Sequence, residues 1–115
     1  MSLFDDGATL ALGRALDGVS LRQRVTADNV ANVMTPGFRA QKVDFEDSLA
    51  SAVSQGDPTA ARSSVTGTGA AAREDGNNVE IDRETTTLMR SGVQYQALAQ
   101  ALSFKFSVLH SAIKG

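Results

Sequence analysis

From Arg83 to Ile113 the chain holds no proline and a single glycine, and apolar residues recur throughout at helical spacing. One helix over that span would run about 46 Å at 1.5 Å per residue. A domain of 115 residues has a small core and is much thinner than that, so this helix cannot be wrapped into a ball. It also carries two apolar seams. The first runs Leu88, Ser91, Tyr95, Leu98, Leu102, Lys105, Leu109 and Ala112, alternating steps of three and four as a coiled-coil seam does. Phe106 and Ile113 widen it. The second, Met89, Val93, Ala97, Ala101, Phe104 and Val108, lies roughly 100° around the axis. One partner needs one stripe; two stripes predict at least two neighbours, the alternative being the broad inner face of a three-helix bundle, for which the other helices offer too little apolar surface. Leu98, Leu102 and Leu109 on one seam, with Phe104 and Val108 on the other, are the candidate subunit-interface residues.

A partner for the first seam stands at the other end of the chain. From about Ala8 to Val33, Leu12, Leu16, Val19, Gln23, Thr26, Val30 and Val33 repeat in the same alternation, with a polar middle. Thr35-Pro36-Gly37-Phe38 then stops the helix. Proline presets φ near −65° at the second position of a type II turn, and glycine supplies the positive φ of the third. Proline also pushes Thr35 out of the helical region, which predicts closure at about Val33. An aromatic-basic strand leaves the corner. Asp44 is the expected N-cap of a short helix carrying Phe45, Leu49, Ala52 and Val53, with Gly56 as its stop and Pro58 just beyond.

Asp57 to Asn78 is rich in Ala, Thr, Ser and Gly, and Val65 is its only large apolar residue. So little apolar surface does not offset the roughly 1–2 kcal/mol per residue of ordering entropy, which predicts a flexible linker. Asp75-Gly76-Asn77-Asn78 is a turn cluster, and Val79-Glu80-Ile81-Asp82 alternates with period two. Asp82 suits an N-cap, with Glu84 near the positive end of the helix dipole. Thr85-Thr86-Thr87 and Gly92 are weak helix formers and predict fraying before Leu88 or a bend near Gly92. The expected fold is mainly α: long terminal helices paired as a coiled-coil-like hairpin, a short middle helix and a long linker. Residues 1–56, 57–78 and 79–115 are its three parts, one structural domain built from both termini.

The chain is poor in chemistry. Its formal charge is −2 and cysteine is absent, which gives no reason to expect nucleic acid and leaves no thiol. His110 has no second His or Cys at metal-ligand spacing and reads as a helix-surface residue or a favourable charge at the helix C-terminus. Asp5-Asp6 and Glu46-Asp47 are adjacent pairs, which diverge on a helix and suit capping rather than acid-base work. Gly67-Thr68-Gly69 lacks the strand and Lys-Ser/Thr of a phosphate loop. Arg14, Arg22, Arg24 and Arg39 are scattered among acids, forming no basic stripe. No catalytic, cofactor or metal residue is expected. Met1 to Gly7 carries acid where a secretory signal needs positive charge, and no run reaches a membrane span.

The corner itself carries a pattern. Asn29, Ala31, Asn32, Thr35, Pro36, Gly37 and Ala40, with Val30, Phe38 and Arg39 as conservative departures, resemble the motif that closes the first helix in the bacterial flagellar axial family of rod and hook proteins. Val43-Asp44-Phe45-Glu46 and Leu49 resemble the segment that follows it. Asp75, Gly76, Asn77, Asn78 and Val79, with Asp82, Glu84 and Leu88, resemble the block that sets the FlgB-type proximal rod proteins apart. Tyr95, Leu102, Lys105 and Leu109 agree with the family's tail, and the chain is short for it in the linker. The resemblance implies a non-enzymatic structural subunit of the proximal rod, needed for flagellum assembly and motility. It implies type III export without a cleaved signal peptide and a place in the basal body across the periplasmic space. The implied partners are other proximal rod proteins, the ring-to-rod adaptor, the export gate, the inner-membrane ring and further copies of the chain in a helical array. The alternatives are another axial component such as FlgC, against which Asp75 to Val79 argues, and a soluble coiled-coil adaptor. An adaptor forms a small closed oligomer, a rod subunit an open array.

Overall fold

The computed structural model describes residues 6–114; the Asp5 member of the Asp5–Asp6 pair and the residues before it lie outside them. The element order is α1 (Gly7–Ala31), β1 (Gln41–Asp44), α2 (Glu46–Ser54), β2 (Ser64–Gly67) and α3 (Ile81–Lys114), with a 3-10 turn at Pro58–Ala60. The two long helices pair antiparallel, as the seams predict. Asn29 near the end of α1 bonds Glu84 at the start of α3, and Asp6 before α1 meets Lys105 at 2.9 Å. At 34 residues, α3 is about 51 Å long, and the molecule extends 64 × 25 × 14 Å.

Asp6 starts α1 by accepting the Thr9 amide at 2.7 Å. The Thr9 amide, followed by Lys105, holds the Asp6 carboxyl at about 2, below its usual range. The helix closes at Ala31 with Asn32 as cap, two residues short of Val33. Phe38 donates to the Thr35 carbonyl at 3.2 Å and Gly37 has φ 77°, the backbone of the expected type II turn.

The core is small: Val19, Val43 and Phe45, with Leu21, Val25, Leu49 and Leu98 half-buried against them. Phe45 lies so close over Gly18 that any Cβ there would overlap its ring. The short middle helix ends as expected. Gly56 takes φ 78°, its amide bonds Val53, and the Asp57 amide returns to Ala52 at 2.9 Å, the paired bonds of a Schellman cap.

Four expectations need correction. Asp44 does not cap α2: it ends β1, the N-cap position is Phe45 without a side-chain bond, and Glu46 and Asp47 supply the acidic first turn. The segment 57–78 is not without structure. It holds the 3-10 turn and β2, which pairs antiparallel to β1 with Val65 opposite Val43. Asp82 is inside α3 rather than capping it, because Ile81 is already helical and Glu84 donates to Glu80 at 2.9 Å. Finally, α3 runs unbroken through Thr85-Thr86-Thr87 and Gly92. Thr86 turns its hydroxyl back to the Asp82 carbonyl at 2.9 Å, and Glu84 and Ser91 are buried against the rest of the fold, so packing overrides propensity there.

Candidate functional site

The two sequence blocks around Asn29–Ala40 and Asp75–Val79 meet in space as one polar junction. Asn29 is buried on α1 and uses both ends of its amide on β1: Nδ2 donates to the Gln41 carbonyl at 2.7 Å and Oδ1 accepts the Gln41 amide at 3.1 Å. The same Nδ2 reaches Glu84 at 3.0 Å, so one residue joins α1, β1 and α3. It also occupies the β1 edge that faces away from β2, satisfying backbone groups that a lone edge would expose.

Asn77 is fully buried and does the same for the end of α1. Its Nδ2 donates to the Asn32 and Thr35 carbonyls, both at 2.8 Å, and its Oδ1 accepts the Val79 amide. The first is the cap carbonyl of α1, which has no intrahelical donor, and the second lies in the turn that follows. Asn78 accepts the Ala40 amide at 2.6 Å and donates to Ala70. Asp75 accepts the Gly37 amide on its carbonyl at 2.8 Å. Gly76 takes φ 84°, and a Cβ on it would sit 3.2 Å from the Gly37 Cα. Ala40 and Val79 are buried beneath, Phe38 is half-buried, and Ala31, Thr35, Pro36 and Gly37 face outward. Arg73, which no sequence pattern singled out, bonds the Val33 carbonyl at 2.6 Å and the Val79 carbonyl at 3.0 Å.

A second tie fixes β1 and α2 on α1. Arg22 grips Glu46 with two bonds of 2.6 and 2.7 Å, donates to the Val43 carbonyl, and lies 4.8 Å over the Phe45 ring. The bonds from Arg22 pull the Glu46 carboxyl down to about 2 from 4.5. Fork-to-carboxylate pairing explains why arginine stands here, since lysine has no matching geometry.

The seams of α3 separate. On the first, Ser91 is buried, Leu98 packs on the core, and Leu88, Leu102, Lys105 and Leu109 are half-buried; Tyr95 is more exposed. The second faces outward, with Met89 69%, Val93 67% and Phe104 71% exposed and Val108 about half exposed. The candidate interface set thus divides: Leu98, Leu102 and Leu109 lie on the α1 side, Phe104 and Val108 on the open side. His110 is exposed on α3. Among the described residues no cluster of His, Cys, Asp and Glu could hold a metal ion, and no helix is long and apolar enough to cross a membrane.

No protein-family model matches the sequence, but whole-chain relatives do. The chain is 31% identical to a flagellar basal body rod protein FlgB of Bacillus subtilis, over all of this chain and 98% of that relative. A FlgB of Borrelia hermsii is 31% identical over 99% of this chain and 100% of its own length. The FlgB of Escherichia coli K12 is 29% identical over 85% of this chain and 86% of its own. These are structural rod proteins rather than enzymes. With junction, paired helices and open seam in place, and with identity running the length of the chain, the protein belongs to the FlgB family of flagellar basal body rod proteins.

Proposed function

We propose that this rod subunit sits in the proximal rod and that the outward seam of α3, Phe104 and Val108 above all, packs against neighbouring subunits. The observation that carries the reading is the row of large apolar side chains left exposed along one face of a helix whose other face is occupied by α1. Such a row on a monomer marks a contact site, and subunit association adds the apolar burial that so small a core lacks. In this reading the neighbours are copies of the chain in an open helical array and other proximal rod proteins. The ring-to-rod adaptor, the inner-membrane ring and the export gate lie at its base. In this reading the subunit reaches the periplasmic space through the export gate. The polar junction acts as the rigid corner that sets the direction of β1 and α2 relative to the helix pair.

The test is complementation in a strain lacking the gene. Phe104→Asp and Val108→Asp place a charge in each repeated interface, where an unpaired buried charge costs several kcal/mol. Expected are stable, exported proteins, no swimming, and basal bodies without rods. Normal swimming from both variants overturns the interface, and a motile null strain overturns the role in motility.

A further inference from the structure

Between β1, α1 and the first turns of α3 lies an open cavity of about 280 Å³. Its wall holds four cationic side chains, Arg22, Lys42, Arg83 and Arg90, against two carboxylates, Glu46 and Glu84. Most of this charge is already matched. Arg22 is committed to Glu46, Lys42 reaches Asp44 at 3.5 Å, Arg83 reaches Glu80 at 3.6 Å, and Glu84 accepts from Asn29. Arg90 has no such partner among the described residues. Next to it Ser91 is 1% exposed, and its hydroxyl has no hydrogen-bond partner among them either. A buried hydroxyl left alone is unfavourable, and alanine would serve the helix pair better at this position. A buried hydroxyl without a partner and an uncommitted guanidinium lining one cavity are a donor set for a carboxylate.

The position of Arg90 names the source of that carboxylate. At 3.6 residues per turn Arg90 lies roughly 60° around α3 from Val93, between the exposed apolar seam and buried Ser91. Interfaces place an apolar centre inside a polar rim, so a protein packed on Met89 and Val93 brings its rim to Arg90. Resting on the seam assignment above, we infer that this cavity receives an Asp or Glu side chain from an adjacent rod subunit, held by the Arg90 guanidinium and the Ser91 hydroxyl.

The experiment expresses Arg90→Glu, Arg90→Gln, Ser91→Ala and Val108→Asp in the null strain and measures swimming, with circular dichroism of each purified chain. Arg90→Glu reduces swimming at least about ten-fold, as like charges face each other across the contact, and Arg90→Gln reduces it less. Both keep wild-type helix content, since Arg90 holds nothing among the described residues. Ser91→Ala melts higher than wild type yet swims less well, a divergence that a purely structural serine would not produce. Second-site revertants of Arg90→Glu change an Asp or Glu in a rod-subunit gene to a neutral or basic residue. Wild-type swimming from both Arg90 variants overturns the inference, as do revertants confined to Glu46 and Glu84 of this chain. Loss of swimming with Val108→Asp alone removes the cavity proposal and leaves the seam standing. Wild-type swimming from all four variants and from Phe104→Asp removes both. Saturation of the Ser91 amide signal by inorganic phosphate, without any rod-subunit revertant, identifies a free-anion site and overturns the subunit carboxylate.

Discussion

Gly37 and Gly76 both take positive φ, at 77° and 84°, but for different local reasons. Nothing lies within 4 Å of a Cβ placed on Gly37, so only its backbone angle demands glycine. A Cβ on Gly76 meets the Gly37 backbone at 3.2 Å as well. Asparagine tolerates this conformation far better than β-branched residues do. Gly37→Asn is therefore mild, costing less than about 1 kcal/mol, whereas Gly37→Val costs more than that and Gly76→Asn exceeds Gly37→Asn. Urea unfolding of the three variants checks the order, and equal midpoints would show that the two turns do not pack as described. The turn glycines are legible in the sequence because Pro-Gly and Asp-Gly report local backbone geometry. Asn29, Asn77 and Asn78 are not. Their identity as the centre of the junction depends on partners up to 55 positions away, and an asparagine in a turn cluster reads locally as a turn former. The family resemblance marked these positions without saying what their amides do.

Between the elements, close approach decides where helix propensity does not. Glycine inside a helix costs roughly 1 kcal/mol against alanine, so Gly13→Ala and Gly92→Ala should raise the melting temperature: Gly13 has open space, and the nearest atom to a Gly92 Cβ is the Gln23 amide at 3.8 Å. Gly18→Ala should lower it, because the new methyl overlaps the Phe45 ring and overpacking costs about 1–3 kcal/mol. A Gly18→Ala variant more stable than wild type would show that Phe45 does not rest on α1. The Arg22–Glu46 tie predicts a pH dependence. Glu46 has a depressed pKa in the folded state, so its contribution is complete above its ordinary 4.5 and is lost as pH falls towards about 2. Glu46→Gln flattens the stability profile in that window; because the Glu46 side chain is 57% exposed, the change is modest. Identical acid profiles for wild type and Glu46→Gln would remove the tie. The long helices were legible because their periodicity is local and repeated. The strand β2 was not, since Ser64-Val65-Thr66-Gly67 gains its structure from β1, 20 and more positions earlier. Asp44 is not the cap of α2 for a related reason: it has the chemistry of an N-cap, but pairing with Ser64 draws it into the strand.

At the scale of the molecule, the shape follows from one helix that is longer than its core. Val19, Val43, Phe45 and their half-buried neighbours occupy the middle of a body 64 Å long, and the open seam runs along α3 past that region. The two faces of α3 therefore answer to different equilibria. Leu102 is half-buried on the face that meets α1, so Leu102→Asp acts on the folding of a single chain. It should lower helix content and melting temperature by an amount equivalent to about 2–4 kcal/mol. Val108 is about half exposed on the other face, so Val108→Asp should leave both near wild type at high dilution. The order reverses when association is read. Wild type should gain mass continuously with concentration, as an open array does, while a closed oligomer would stop at one size. Val108→Asp should suppress that growth more strongly than its effect on the dilute chain explains. Circular dichroism at low concentration and sedimentation across a concentration series separate the two. If Val108→Asp unfolds the dilute chain as fully as Leu102→Asp, the second seam belongs to the monomer's own packing, and the division of α3 into an inner and an outer face fails.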